Sequence, residues 1–350
     1  MTDGISREEL QLAARNHGMP LEALRYDVTP AGLHYLLIHY DIPEVHEDDW
    51  RVEVGGAVER PLSLDLDAVR ARASVTAEVT LECAGNGRAL LEPRPVSQPW
   101  LLEAVGNARW TGTPLRDVLE ETGIADDAAE VVFTGLDRGI EGEVEQTYER
   151  ALPLEEAMRP EVLLAYEMND QPLLPQHGYP LRLVVPGWYG MTHVKWLARI
   201  QVVRERFAGY QNARGYRWRI DEDDPGTGVT RIAPRALMVP PGIPEFLTRS
   251  RTVEAGELEL RGRAWSGLGP IERVEVGLDG EGWWDAGLDP APSDPFAWRG
   301  WRARWNATPG EHVLRCRATD ATGETQPTDP VWNVGGYTNN ATQRVPVLVR

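Results

Sequence analysis

Cys83 lies where a strand-like run ends and a glycine turn begins. The run 77–83 is largely apolar, and Gly85, Gly87 and the cation Arg88 follow it. The thiolate is the form of cysteine that binds soft metals, and a nearby cation with open backbone N–H groups favours that form. Cys83 is therefore a candidate metal ligand. Taken alone, however, a free cysteine in a strand is more often a small buried hydrophobic residue.

A second group of candidate residues consists of histidines and cations set among apolar residues and glycines. His177, Arg182, His193 and Lys195 fall within one short segment of an acidic chain. Such a local concentration of donors and positive charge suits an anionic ligand such as a phosphate. The alternative is that these cations only balance surface carboxylates, which holds for most lysines and arginines taken singly.

The order and spacing of these residues resemble the sulfite oxidase family, which also includes plant-type nitrate reductases. One matching motif is Cys83-Ala84-Gly85-Asn86-Gly87-Arg88. A second, the family's Arg-Asn-His-x-x-x-Pro or a close variant, is matched by Arg15-Asn16-His17 and Pro20. The densest match is the segment 163–196, which is far more specific than either motif.

The resemblance implies a molybdenum ion held by two sulfurs of molybdopterin and by the thiolate of Cys83. It implies a substrate pocket formed by Arg15, Arg88, Trp100 and Tyr216. It also implies that the pterin and its phosphate are bound by Asn16, His17, Asp137, His177, Arg182, His193, Val194 and Lys195. The cofactor is expected in its simple form, without an added nucleotide. From the residues alone, Trp100 is more often a packing aromatic than a pocket residue, and Asp137 could simply cap the turn that follows it.

The chain departs from the family pattern near its C-terminus. True sulfite oxidases have Trp-Asn-Leu-Arg-Gly where this chain has Trp332-Asn333-Val334-Gly335-Gly336, and many relatives have arginine at the position of Pro270. A charge-assisted hydrogen bond contributes about 1.5–3 kcal/mol, so losing a pocket cation weakens oxyanion binding. The sequence leaves open whether another cation replaces the one absent at Gly335.

The N-terminal part is predicted to mix helices and strands. Ser6 and Glu9 form a capping box that predicts a helix over 7–14. Thr113 as N-cap and Gly123 as C-terminal cap predict a second helix. Other helices are predicted at 63–72 and 153–158. Strands are predicted at 50–56, 77–83 and 131–137, whereas 138–151 has no clear pattern.

From about residue 231 the pattern changes to period-two alternation between turn signals. Strands are predicted at 257–265, 271–278, 298–305 and 312–319, with Cys316 in the core. This spacing predicts an immunoglobulin-like β-sandwich, which the resemblance assigns to dimerisation. The fold class is therefore α+β: a sulfite-oxidase-type molybdopterin-binding domain at 1–230 followed by an immunoglobulin-like β-sandwich at 231–350.

Composition excludes several kinds of partner. The 350 residues carry a net charge of −18, which argues against a nucleic acid or an anionic membrane. No apolar run approaches the roughly 20 residues that span a bilayer, and the N-terminus has no secretory signal pattern. The chain is expected to be cytoplasmic as written, or periplasmic if an export signal was removed.

The resemblance implies oxygen-atom transfer with two-electron redox chemistry on a small anionic substrate, with sulfite oxidised to sulfate. No Cys-x-x-Cys-His haem segment is present, so no haem and a separate electron acceptor such as a cytochrome are expected, in a homodimer. One alternative is the reduction of nitrate or an S-oxide by the same cofactor. Another is a non-catalytic binding protein in which the sandwich carries the function.

Overall fold

The computed structural model describes residues 4–350, which form several β-sheets and a few short helices. The helices are α1 (Arg7–Arg15), α2 (Leu66–Arg70), α3 (Leu115–Thr122) and α4 (Leu154–Ala157). Short 3₁₀ turns lie at Leu21–Arg25, Ala31–Leu33, Arg88–Leu90, Pro175–His177 and Gly190–Thr192, and a π-helical turn lies at Gln211–Gly215. The α+β class is confirmed, with strands predominating.

Two sheets and a small hairpin make up the N-terminal part. Their strands are β1 (Val52–Gly56), β2 (Leu62–Leu64), β3 (Val75–Glu82), β4 (Val105–Pro114), β5 (Glu130–Glu141), β6 (Val144–Pro153), β7 (Leu163–Met168), β8 (Gln171–Pro172), β9 (Arg182–Val184), β10 (Leu197–Val203), β11 (Arg217–Trp218) and β12 (Thr227–Gly228). One sheet has the order β2-β1-β10-β5-β6, and the other has β3-β4-β7-β8 with β9 paired to β7. Strands β11 and β12 pair separately.

The main core of this part lies between its two large sheets. Val54 and Ile200 face each other across the parallel pair β1–β10 and belong to this core. Leu164 and Leu183, from β7 and β9 of the other sheet, belong to the same cluster. Burial of these apolar side chains supplies the main driving force for joining the sheets.

The C-terminal strands form two sheets packed face to face. They are β13 (Arg235–Met238), β14 (Ile243–Pro244), β15 (Arg251–Val253), β16 (Gly256–Trp265), β17 (Ile271–Leu278), β18 (Glu281–Asp285), β19 (Gly287–Leu288), β20 (Arg299–Ala307), β21 (Gly310–Asp320) and β22 (Gln343–Val349). The sheet orders are β13-β16-β20-β19 and β14-β15-β22-β21-β17-β18. Cys316 is fully buried between them, so the predicted sandwich and its core cysteine are confirmed.

One local prediction is confirmed and two are corrected. The capping box is present, because Ser6 N–H donates to Glu9 and Glu9 N–H donates to Ser6 Oγ. The helix expected at 63–72 is shorter: Asp65 caps α2, and the residues before it form β2. Thr113 is not an N-cap. Its hydroxyl donates to Val69 O from the end of β4.

The segment that had no clear pattern, 138–151, completes the β5–β6 hairpin. Within residues 4–350 no helix is long and apolar enough to cross a membrane. The division into domains 1–230 and 231–350 stays a prediction.

Candidate active site

Cys83 lies at the junction of two cavities. The inner cavity is lined by residues that include Tyr35, Asp137, His177, Arg182, His193 and Lys195. The outer cavity is lined by residues that include Arg88, Trp100, Tyr210, Arg214, Arg219 and Tyr337. Leu37, His39, Cys83 and Tyr216 line both. A group bound at the Cys83 thiol can therefore be bound by the residues of the inner cavity. A second ligand can reach the same group through the outer cavity.

Strand β3 and the turn after it position Cys83. Cys83 N–H donates to Ala104 O at 2.9 Å, and Asn86 N–H closes the turn onto Cys83 O at 3.0 Å. The side chain of Asn86 is buried and binds Glu82 Oε1 at 3.0 Å and Ala104 N–H at 3.1 Å. Gly87 has φ of 90°, a conformation that a side chain would disfavour. The turn is thus fixed on both sides of the cysteine.

Burial raises the pKa of the Cys83 thiol, while the Arg88 guanidinium, the Gly85 N–H and the Trp100 indole act to lower it. The first effect is the largest, so these surroundings favour the neutral thiol. A bound cation would reverse this preference because a coordinating thiol is deprotonated by the metal.

The inner cavity holds two cations and several neutral histidines. Burial lowers the pKa of His34 to about 4 and that of His177 to about 2, so both rings are uncharged at neutral pH. Burial also lowers the pKa of Lys195 to about 7 and that of Arg182 to about 10. Burial raises the pKa of Asp137 to about 6.

Polar atoms that line this cavity are left without partners. Among residues 4–350, His34 Nε2, Asp137 Oδ1 and Arg182 Nε are buried and find no hydrogen-bond partner. Buried polar atoms are normally paired, and an unpaired one costs about 1–3 kcal/mol. Arg182 Nε and the amine of Lys195 are donors that fit an anionic group such as a pterin phosphate. Asp137 Oδ1 is an acceptor, as is His34 Nε2 because Nδ1 of the neutral ring donates to Tyr35 O, so both fit N–H donors such as those of a pterin ring.

His193 and Val194 differ from the other residues in this predicted set. Both ring nitrogens of His193 are engaged by backbone: Nδ1 accepts from Val185 N–H and Nε2 lies 3.0 Å from Trp188 O. Val194 is buried and its carbonyl accepts from Leu183 N–H. Their side chains hold the loop together. Lys195 alone in this triplet presents a polar group, although Nζ also donates to Leu37 O and Gln176 O.

Arg15 and His17 do not reach either cavity, contrary to the sequence prediction. Helix α1 ends at Arg15, whose guanidinium is exposed and donates to Tyr40 O. His17 is exposed and pairs by its backbone with Leu36. Between them, Asn16 is buried because the extended backbone points alternate side chains to opposite sides.

Asn16 braces the segment that lines the cavities. Its Oδ1 accepts from Ile38 N–H at 2.7 Å, and its Nδ2 donates to Gln98 at 3.0 Å. The residue therefore supports the site from behind.

His39 is a site residue that the sequence prediction missed. It lines both cavities, its Nε2 is hydrogen-bonded to the Tyr216 hydroxyl, and its ring stacks on Tyr148 with centroids 4.7 Å apart. The signal was present: His39 and Pro43 keep the His-x-x-x-Pro spacing of the family motif, whereas His17 and Pro20 are one residue too close. Burial lowers the pKa of His39 to about 3, so its ring is neutral.

The outer cavity brings together three of the four predicted substrate residues. Arg88 is buried, and its Nε donates to Gly335 O at 2.9 Å. Trp100 is also buried, and Tyr216 lies between Cys83 and Tyr337, with ring centroids of the two tyrosines 5.2 Å apart. Burial raises the pKa of Tyr216, so its hydroxyl stays protonated.

The two positions at which the chain lacks a family arginine, Gly335 and Pro270, differ in their relation to the outer cavity. Gly335 is linked to the outer cavity through Arg88, which lines it and whose Nε donates to the Gly335 carbonyl. Pro270 is exposed and lines neither cavity, so the lack of an arginine there does not bear on the pocket.

Comparison with known proteins identifies the two halves of the chain. The oxidoreductase molybdopterin binding domain matches residues 39–211, and the Mo-co oxidoreductase dimerisation domain matches residues 235–350.

Relatives span most of the chain. Mitochondrial sulfite oxidase of Homo sapiens is 36% identical over 92% of this chain, and the chain spans 62% of that protein's length. Sulfite oxidase of Gallus gallus is 35% identical over 91% of this chain and 72% of its own. The solved structure of the sulfane dehydrogenase SoxCD from Paracoccus pantotrophus superposes with a TM-score of 0.80 at 27% identity, covering 93% of this chain and 82% of that one. The chain belongs to the sulfite oxidase family of molybdopterin-binding oxidoreductases.

Proposed function

We propose that the chain is a molybdenum-dependent oxidoreductase in which Cys83 supplies the protein's thiolate ligand to molybdopterin-bound molybdenum. One observation carries the proposal: the buried Cys83 thiol faces both a cavity rich in unpaired polar groups and a cavity lined by arginines and aromatic rings. A soft thiolate suits a molybdenum site that is also bound by dithiolene sulfur. The molybdopterin-binding match over 39–211 supports the same reading.

The residues of the inner cavity would hold the cofactor. Arg182, Lys195 and the neutral His177 would hydrogen-bond its phosphate and pterin edges, with Asp137 accepting from a ring N–H. Bound there, the cofactor would supply two-electron redox chemistry and exchange of an oxygen atom. His193 and Val194 would shape the loop, and Asn16 would brace its far side.

The residues of the outer cavity would act on the substrate. Arg88 would attract an anion, and the neutral Tyr216 hydroxyl, held by His39, would hydrogen-bond the reacting end. Trp100 would exclude water beside Cys83. Arg15 would lie outside this arrangement, because its guanidinium donates to Tyr40 O and lines neither cavity.

The reaction we propose is oxygen-atom transfer to an anionic sulfur compound, of which sulfite is the simplest. The names of the human and chicken relatives support this choice. The electrons would pass to a separate acceptor such as a cytochrome. The match of 235–350 to a dimerisation domain supports a homodimer formed through the sandwich.

Purification from a host that makes the cofactor tests the proposal. We expect about one molybdenum per chain, loss of it in Cys83→Ser, and retention of it in the matched control Cys316→Ser, whose sulfur lies in the sandwich core. Sulfite should reduce an artificial acceptor with the loaded protein. A protein without molybdenum would refute the proposal. Turnover only of nitrate or an S-oxide, with a reduced dye as electron donor, would show that the chain is a reductase and not an oxidase.

A further inference from the structure

The space that a side chain at position 335 would need is filled by another residue. A Cβ built on Gly335 would lie 2.3 Å from Cε2 of Tyr337. Heavy atoms do not approach that closely, so the Tyr337 ring occupies the path along which an arginine at 335 would enter the pocket. An aromatic ring therefore stands where relatives place a cation, and the apolar Leu37 lies on the wall shared with the inner cavity.

Arg88 is already largely engaged by the protein. Its Nε donates to Gly335 O at 2.9 Å, its Nη1 donates to Gln98 O at 3.4 Å, and its guanidinium lies 5.1 Å from the centre of the Tyr337 ring. Two of its donor groups are thus committed to backbone carbonyls. Its remaining N–H donors can still attract an anion to Cys83, but a compact dianion there would depend mainly on this one guanidinium.

Two further arginines line the same cavity. Arg214 belongs to the π-helical turn, and Arg219 follows β11. Among residues 4–350, no carboxylate lies within ion-pair distance of Arg214, and Arg219 reaches only Glu222, which is 82% exposed, at 3.6 Å. An ion pair so open to solvent contributes little, so both cations are available to a ligand.

The segment that carries these arginines is joined to the altered turn at Gly335. Val334 N–H donates to Arg219 O at 2.9 Å, and the Tyr337 hydroxyl donates to Gly215 O at 3.0 Å. The Tyr337 ring, which fills the space beside Gly335, therefore also holds the segment 214–219 in place. That segment carries Arg214 and Arg219 to the cavity wall. The Tyr337 ring lies beside Tyr216, near Cys83. Arg214 and Arg219 add positive charge to another part of the same cavity wall.

We propose that the outer cavity binds an elongated organosulfur anion, with its charged group on Arg214 and Arg219 and its apolar body against Tyr337. The neutral end carrying the reacting sulfur then faces Tyr216 and Cys83. This proposal rests on the proposed function and specifies its substrate class. Charge-assisted hydrogen bonds to two guanidinium groups fix one end of the ligand, and the aromatic wall fixes the rest.

Calorimetric titration of the molybdenum-loaded protein with inert anions tests this arrangement. The probes are sulfate, methanesulfonate and benzenesulfonate, none of which is turned over. We expect benzenesulfonate to bind at least about tenfold tighter than sulfate, because it combines a single charge with the largest apolar body of the three probes. The double variant Arg214→Gln/Arg219→Gln should weaken benzenesulfonate binding by about tenfold or more.

Two further variants separate the contributions. Arg206→Gln removes one positive charge from an exposed residue that does not line the cavity, and should leave each affinity within about twofold. Tyr337→Leu should reduce the preference for benzenesulfonate over methanesulfonate. Sulfate binding as tightly as benzenesulfonate, or a double variant with wild-type affinity for benzenesulfonate, would overturn the proposal. Because the probes do not react, their affinities do not depend on sulfite turnover. A failure of the proposed function would appear as missing molybdenum or missing turnover, and a failure of this proposal would appear as unchanged probe affinities in the loaded protein.

Discussion

The carboxylate of Glu82 lies 2.7 Å from Nε of Arg235, and neither side chain is accessible to solvent. The other carboxylate oxygen accepts from Trp265 Nε1 at 2.7 Å. Glu82 immediately precedes Cys83, whereas Arg235 and Trp265 belong to the sandwich. The strand end that presents the candidate metal ligand is therefore held in place by the C-terminal sheets.

Glu82→Gln is expected to destabilise the protein strongly. It leaves the buried guanidinium of Arg235 without its counter-charge, and breaking a buried pair in this way costs about 3–5 kcal/mol. The matched control is Glu257→Gln, which removes a carboxylate from an exposed pair with Arg304 and should cost less than about 1 kcal/mol. Urea unfolding of both variants measures the difference. Equal losses of stability would show that burial of the Glu82–Arg235 pair has no energetic consequence.

His39→Leu is expected to lower cofactor retention, whereas His17→Leu is not. The first change leaves the buried Tyr216 hydroxyl without its partner, at a cost of about 1–3 kcal/mol, and changes a wall of both cavities. The second alters an exposed side chain and should shift the free energy of unfolding by no more than about 0.5 kcal/mol. Molybdenum content and urea midpoints of the two variants provide the measurement. Cofactor loss in His17→Leu with retention in His39→Leu would show that His17, and not His39, is the histidine that the cofactor site requires.

Sequence patterns predicted the fold better than the site. Alternation placed the strands around Cys316 and Val274 correctly, because one face of each strand is buried against a single core. Identifying Arg15 and His17 as pocket residues failed because a three-residue motif does not reveal which way each side chain points. That depends on the pairing of His17 with Leu36, a contact between distant segments. Tyr337 was missed for a different reason: it lies two residues after Gly335, but its sequence position does not reveal that its ring folds back against that glycine.

Gly106→Ala is expected to disturb the inner cavity. A Cβ on Gly106 would lie 2.5 Å from Cδ2 of the buried His34 ring. The ring would therefore have to move, and because it lines the inner cavity, the shape of that cavity would change. Overpacking of this kind costs about 1–3 kcal/mol. Gly55→Ala in β1 is the matched control, because a Cβ there meets no atom within 4 Å. Lower molybdenum content in Gly106→Ala than in Gly55→Ala is the expected result, and equal contents would show that the His34 position is not required.

The stability contributed by His312 is expected to fall as pH rises above neutrality. Nδ1 of His312 lies 2.7 Å from Asp279 Oδ2, and its Nε2 lies 2.9 Å from Thr308 O, so a doubly protonated ring satisfies both contacts. The Asp279 carboxylate raises the pKa of His312 above its usual value near 6.5, and burial acts in the opposite direction. Hydrogen bonds from His312 and Val313 N–H more than offset the effect of burial and lower the pKa of Asp279.

These directions set the pH window of the effect. Because the folded pKa of His312 is raised, its contribution is fully present below about pH 6.5 and is lost as pH rises through the folded value. The lowered pKa of Asp279 means that its contribution is lost only as pH falls through that lower value. The difference in urea midpoint between wild type and His312→Gln should therefore be largest near pH 5–6 and shrink toward pH 9.

Asp279 is 39% exposed, so solvent screening limits the effect to about 1 kcal/mol or less. A difference that grows with pH would contradict the protonated pair, because deprotonation of His312 removes the charge attraction between its ring and the Asp279 carboxylate.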